Sequence, residues 1–308
     1  MMTFKITNTV YIGLTILLFT SGNAQAQFEV REIADGVYLH YGVHEQINVN
    51  NKGDISNIGF IIGEESVAVI DTGGSRQVGE NLKHEISRIT DLPVRYVILT
   101  HAHPDHIFGA KAFESSTSEI VGHKNLNNSL IQRGEFYRDR FVNEGFSEKD
   151  LQLLPQTVFV ETTMKLDLGN RQLLLMAADT SHTDNDLVVI DESTKTIWTG
   201  DLLFRQRVPV IDGDVISWLK TMETLTQHDA EIIVPGHGLI ATSWPQALDD
   251  QKRYLEKLIR DVRELIARQG SIQQAVETIA KDEEDLWLLF NDHHAQNVSR
   301  VYTQLEWE

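Results

Sequence analysis

The stretch His101-Ala102-His103-Pro104-Asp105-His106 decides the fold. It follows directly on Val94-Arg95-Tyr96-Val97-Ile98-Leu99, a near-continuous apolar run that reads as a strand buried on both faces. A loop leaving the end of such a strand can turn His101 and His103 toward one metal ion, and Asp105 and His106 toward a second. The chain contains no cysteine, so metal binding must rest on imidazole and carboxylate. That donor set suits zinc, with iron or manganese as alternatives. The bland alternative is a solvated polar turn.

Three further sites argue against the bland alternative. His182 stands in Thr180-Ser181-His182-Thr183-Asp184-Asn185-Asp186, just before an apolar strand Leu187 to Ile190. Asp201 stands in Thr199-Gly200-Asp201, just after a strand Thr196 to Thr199. His237 stands in Pro235-Gly236-His237-Gly238, just after a strand Glu231 to Val234. Each alone reads as a turn residue. In this order, each at a strand terminus, they are hard to explain as turns.

Further out, strands are expected around residues 36–40, 58–62, 67–70, 119–121, 157–162 and 171–177. Helices are expected over 77–90, with Val78, Leu82, Ile86 and Ile89 on one face, over 215–227, and over 246–268. Residues 126–150 read as helix and loop, and 271–308 as helical and acidic. Two strand-rich halves, each closing with helices, predict an α/β fold: a four-layer αββα sandwich.

The pattern H-x-H-x-D-H, then His, then Asp in T-G-D, then His in G-H-G, resembles the metallo-β-lactamase superfamily, most of all its glyoxalase II-like branch. The Asp71-Thr72-Gly73 corner fits the same superfamily. Val94 to Thr100, Gly122 to Leu126, His182 to Leu187 and Trp198 to Phe204 are similar to quinoprotein relay system zinc metallohydrolases. The resemblance implies a metallo-β-lactamase fold with two zinc ions. His101, His103 and His182 would hold the first, Asp105, His106 and His237 the second, and Asp201 would bridge them. It also implies a functional link to a periplasmic quinoprotein dehydrogenase. Two positions depart from true β-lactamases: Asp201 stands where those enzymes carry Cys or Ser, and Ile107 stands where one subclass carries a further His.

Such a centre would hydrolyse an ester, thioester, lactone or amide, β-lactams included. Two cations about 3.5–4 Å apart can share a hydroxide and polarise the carbonyl it attacks. Asp105 is the candidate catalytic carboxylate, able to ligate and to orient the nucleophile's proton, and no side-chain nucleophile is required. His123 and Lys124 are the candidate contacts to an anionic substrate, with a surface turn as the alternative. Arg133, Tyr137, Arg138 and Arg140 read as a solvated helix face, with a lid as the alternative. One of Arg205 and Arg207 is placed to reach the cleft. His40, His44, His84 and His228 read as structural, His293-His294 as exposed.

The chain has 308 residues, a formal net charge of −18 and a pI near 5.0. That acidity disfavours nucleic acid and anionic membranes, leaving a small molecule as the expected partner. Lys5, the apolar run Val10 to Phe19 and Ala24-Gln25-Ala26 read as a secretory signal over residues 1–26, which puts the catalytic region at 27–308 with a helical segment from about 246. The apolar run is shorter than the roughly 20 residues of a membrane span. A periplasmic or secreted protein is expected, with no stable membrane insertion after cleavage. Two other classes remain open: an oxidoreductase holding a single iron and oxidising persulfides, and a non-catalytic accessory of the dehydrogenase.

Overall fold

The computed structural model describes residues 28–308, so the signal read over residues 1–26 lies outside the described residues. The elements in chain order are β1 (Arg31–Ala34), β2 (Val37–His40), β3 (Ile58–Ile62), β4 (Val67–Ile70), α1 (Arg76–Ile89), β5 (Val94–Leu99), α2 (Pro104–Ile107), β6 (Glu119–His123), α3 (Leu126–Asn143) and β7 (Val158–Val160). There follow β8 (Thr163–Asp167), β9 (Gln172–Ala177), β10 (Leu187–Asp191), β11 (Thr196–Phe204), α4 (Val215–Leu225), β12 (Ile232–His237), α5 (Asp249–Ala267), α6 (Ile272–Thr278) and α7 (Phe290–Leu305). Among the described residues, β1 to β7 form one sheet in sequence order, and β12-β11-β10-β9-β8 form a second. None of the described helices is long and apolar enough to cross a membrane.

Alternation along the strands builds the layers. Ala68 and Ile70 of β4 meet Leu173, Leu175, Val189 and Trp198 between the sheets, while Val67 and Val69 face the other way, with Leu82 and Ile86 of α1. On the second sheet, Val188 and Ile190 of β10 turn outward to Trp218 of α4, Leu255 and Leu258 of α5 and Val301 of α7. Three apolar cores therefore separate four layers, α/β/β/α, and each sheet is buried on both faces.

Local signals set the helices. Ser75 caps α1 by accepting from the Val78 N–H, and Val78, Leu82 and Ile86 repeat at the spacing of one buried face. Ile89, expected on that face, is the last helical residue and is exposed. β1 and β8 escape the sequence reading. β1 is largely exposed and pairs with β2 alone, and β8 buries just Leu166. Neither carries the apolar alternation that would mark it.

The more consequential difference is β11. It does not stop at Thr199 but runs to Phe204, buried throughout, so Asp201 lies inside the strand. Its parallel pairing with β12 slips on both sides of Gly200, which has φ 50°, and this bulge brings Asp201 toward the end of β12. Across the gap, Gly236 permits the approach, since a Cβ there would stand 1.9 Å from Asp201 Oδ1.

Trp218 is fully buried, donates its indole N–H to Leu202 O at 3.0 Å, and packs 5.4 Å from the His182 ring. Trp218→Ala is expected to lower the unfolding free energy by about 3–5 kcal/mol, read from urea denaturation. A loss below about 1 kcal/mol would contradict this view of the core.

Candidate metal centre

Seven histidine and aspartate side chains converge where the strands of the two sheets end. His101 follows β5, His103 caps α2, and Asp105 and His106 lie within α2. His182 comes from the loop between β9 and β10, Asp201 from β11, and His237 from the last position of β12. His101, His103, His182 and Asp201 form one group and Asp105, His106 and His237 a second, with the ligand atoms of each group within 4.8 Å of one another. Asp201 spans both: Oδ2 lies 3.7 Å from His101 Nε2 and 3.4 Å from His182 Nε2, while Oδ1 lies 3.2 Å from His106 Nε2 and 3.4 Å from His237 Nε2. Asp105 Oδ2 faces His237 Nε2 at 3.3 Å.

The outward nitrogen of each imidazole has its own partner. His182 Nδ1 meets Val210 O at 2.7 Å and His237 Nδ1 meets Ile55 O at 2.8 Å. His106 Nδ1 meets Asp71 Oδ2 at 2.8 Å, and His103 Nε2 meets Asp212 Oδ2 at 3.3 Å. His101 Nδ1 meets Thr100 Oγ1 at 3.0 Å, and that hydroxyl donates to Asp71. With N–H groups donated outward, the inward nitrogens of His101, His103 and His182 carry lone pairs whenever these imidazoles are uncharged. His103 Nδ1 then stands 3.1 Å from His101 Nε2 and 2.9 Å from His182 Nε2. Three lone pairs aimed at one another repel unless a proton or a metal cation lies between them. His106 Nε2 and Asp201 Oδ1 are buried and without hydrogen-bond partners. These atoms and this donor set fit divalent metal ions.

Asp71 anchors the arrangement. Its φ of 54° is strained for a non-glycine residue, yet Oδ1 accepts the Thr100 N–H at 2.8 Å while Oδ2 accepts from Thr100 Oγ1 and His106. The Asp71-Thr72-Gly73 corner stands out in the sequence, but its contact to His106, 35 residues away, does not. Asp212, which holds His103 and is paired with Arg133 and Arg300, was also missed. It lies in a turn with no local pattern to announce it.

The electrostatics differ between the groups. Burial, reinforced by neighbouring imidazoles, pushes His101 well down and His182 to about 3. Burial is the largest influence against charge on His106 and His237, but the carboxylates together outweigh it and raise both: Asp201, Asp71 and Asp105 around His106, and Asp201 with Asp105 around His237. Burial alone would raise Asp105, yet His106 and His237 hold it well below the usual carboxylate range.

A cavity of about 730 Å³ opens over the centre and reaches Asp105, Asp201 and His237. Arg133, Tyr137 and Arg140 line it, so the helix that carries them is a wall of the cleft instead of a solvated face. Arg207 lines it and Arg205 does not, its guanidinium bonding Leu239 O and Ile240 O. His123 is buried at the end of β6, where Nδ1 accepts the Asn125 N–H, and neither His123 nor Lys124 is among the lining residues. His294, expected to be exposed, is buried between Tyr254 and Ile279 O, and His293 is partly buried on the cavity wall.

Residues 51–237 match the family model of the Metallo-beta-lactamase superfamily. The chain belongs to this superfamily. Its members are metal-dependent hydrolases. The chain is 29% identical over 187 residues to hydroxyacylglutathione hydrolase GloC of Haemophilus influenzae, covering 58% of this chain and 83% of that protein. It is 41% identical over 240 residues to a linear primary-alkylsulfatase of a Pseudomonas species, covering 66% of this chain and 44% of that protein. The metallo-β-lactamase of Pontibacter korlensis superposes with a TM-score of 0.61 at 21% identity, covering 75% of this chain and 99% of that one, which shows the shared fold.

The raised His106 and His237 must lose protons before they can ligate, whereas His101 and His182 are already neutral. Affinity for a cation at Asp105, His106 and His237 should therefore keep rising as pH increases beyond the ordinary histidine value of 6.5, and that for one at His101, His103 and His182 much less. Chelator competition at several pH values checks this. Equal pH dependence at both sites would contradict it.

Proposed function

We propose that the chain holds two divalent cations, zinc by donor type, and hydrolyses an ester, thioester, lactone or amide. The observation that carries this reading is Asp201, whose two oxygens face the two imidazole groups separately. Bound there, the cations would supply a water activated at neutral pH and a Lewis acid for the substrate oxygen. The protein's own part is to fix geometry and protons. Asp71, Asp212, Val210 O and Ile55 O orient the imidazoles, so little reorganisation accompanies binding. Asp105 stays ionised and lines the cavity, where its carboxylate can ligate and can orient the proton of the attacking water.

Likeness to GloC puts thioesters in the substrate panel, and likeness to the alkylsulfatase adds sulfate esters. The signal pattern over residues 1–26 supports a periplasmic or secreted location. The resemblance to quinoprotein relay system metallohydrolases supports a link to a quinoprotein dehydrogenase.

Chelation should abolish hydrolysis of a panel of thioesters, lactones, β-lactams and sulfate esters, and added zinc should restore it. Asp201→Ala should reduce metal occupancy and lower kcat/KM by about 10²-fold or more. An Asp201→Ala variant that keeps two tightly bound metals and full activity would refute the scheme.

A further inference from the structure

The cavity wall sets a residue apart. Arg207 is 4% exposed, yet it lines the cavity. Its Nε has no hydrogen-bond partner, and among the described residues it makes no ion pair with a carboxylate. Nη1 stands 3.1 Å from His237 Nδ1, but that nitrogen already meets Ile55 O and has no lone pair to offer. Nη2 stands 3.4 Å from His293 Nε2, a long contact to an imidazole that burial and Arg207 itself hold uncharged, down to about 4. Asp105, Asp201 and Asp292 act on Arg207 from a distance without pairing with it, and metal ions would consume the charge of the first two. A buried guanidinium without a carboxylate is unfavourable. In a chain of net charge −18, its retention at this wall needs a partner that comes from outside.

The wall formed by α3 sets apolar side chains among Arg133, Arg140 and Glu144. Phe136 is 65% exposed at the cavity, with the Tyr137 ring 5.9 Å away, and Phe141 and Ile47 continue the surface inward. An exposed phenylalanine beside a half-buried tyrosine makes a surface for hydrocarbon. A cavity of about 730 Å³ is of the size that holds a small organic ligand.

We propose that the cavity receives an amphiphilic anion, its charged oxygens bound by Arg207 and its hydrocarbon part laid against Phe136, Tyr137 and Phe141. This deepens the hydrolase reading and rests on it for the chemistry: the substrate would be an ester or amide bearing an anionic group. The recognition step itself needs the folded chain alone. Carboxylate and sulfate share the oxygen chemistry that a guanidinium binds.

The test is calorimetric binding of decanoate, decyl sulfate, decyltrimethylammonium and decanol, below micelle formation, to the metal-loaded chain and to the metal-free chain. Both anions should bind at least about tenfold more tightly than the cation and the alcohol, and the tighter of the two identifies the anion. Arg207→Met should lose about tenfold or more for the anions, with metal content unchanged. Should Arg207→Met fail to fold, Phe136→Ser, an exposed change, should weaken decanoate and leave acetate unaffected. Equal binding of decanol and decanoate, or anion binding untouched by Arg207→Met in a folded protein, would overturn the proposal. If instead the metal reading fails, the metal-free chain still binds decanoate through Arg207. If this proposal alone fails, two metals bind with no preference for anions.

Discussion

The structure depends on the gathering of five imidazoles and two carboxylates into one largely buried cluster. Five imidazoles are fixed by outward hydrogen bonds to Thr100, Asp212, Asp71, Val210 O and Ile55 O, and their inward nitrogens gather around Asp201. A hydrogen bond on one nitrogen determines what the other can do. The outer partners therefore matter as much as the ligating atoms, and they come from loops on both halves of the sandwich. A bound cation would turn the facing nitrogens of His101, His103 and His182 into ligands, which would make metal loading and local order one event.

The sandwich exists to bring those loops together. The parallel strands β4, β5 and β12 end at Asp71, His101 and His237, and the bulge at Gly200 brings Asp201 among them. Trp218 and Phe204 pack against His182 from behind, so the core of the second sheet braces a loop residue. The helices α3 and α7 then close the cavity with side chains the strands do not supply: Tyr137 and Arg133 on one wall, His293 and Arg300 on the other. The arrangement of rigid strands below and helical walls above separates chemistry from recognition.

Much of this was legible in sequence because the signals are local. Val94 to Leu99 is apolar but for Arg95, and His101 to His106 follows at once, so strand, loop and candidate ligands are readable in a dozen residues. The same holds for α1, where the Val78, Leu82 and Ile86 spacing agrees with the helix observed, while the Ser75 cap went unread and Ile89 falls off the buried face. What stayed hidden depends on partners far away in the chain. Asp201 reads as following its strand because the strand's extension to Phe204 is set by pairing with β12, not by residue type. Asp212 gains its role from His103, Arg133 and Arg300, separated from it by 79 to 109 residues, and no window of sequence contains that contact. Lys124 and His123 looked like the basic contact because they are adjacent and polar, whereas the cavity draws its arginines from α3, α7 and the loop after β11.

The most direct test of the account is metal content by mass spectrometry, made on protein purified with no metal added. About two zinc ions per chain is the result expected for a centre in which Asp201 serves both imidazole groups. One iron per chain, or none bound even after reconstitution, would contradict it.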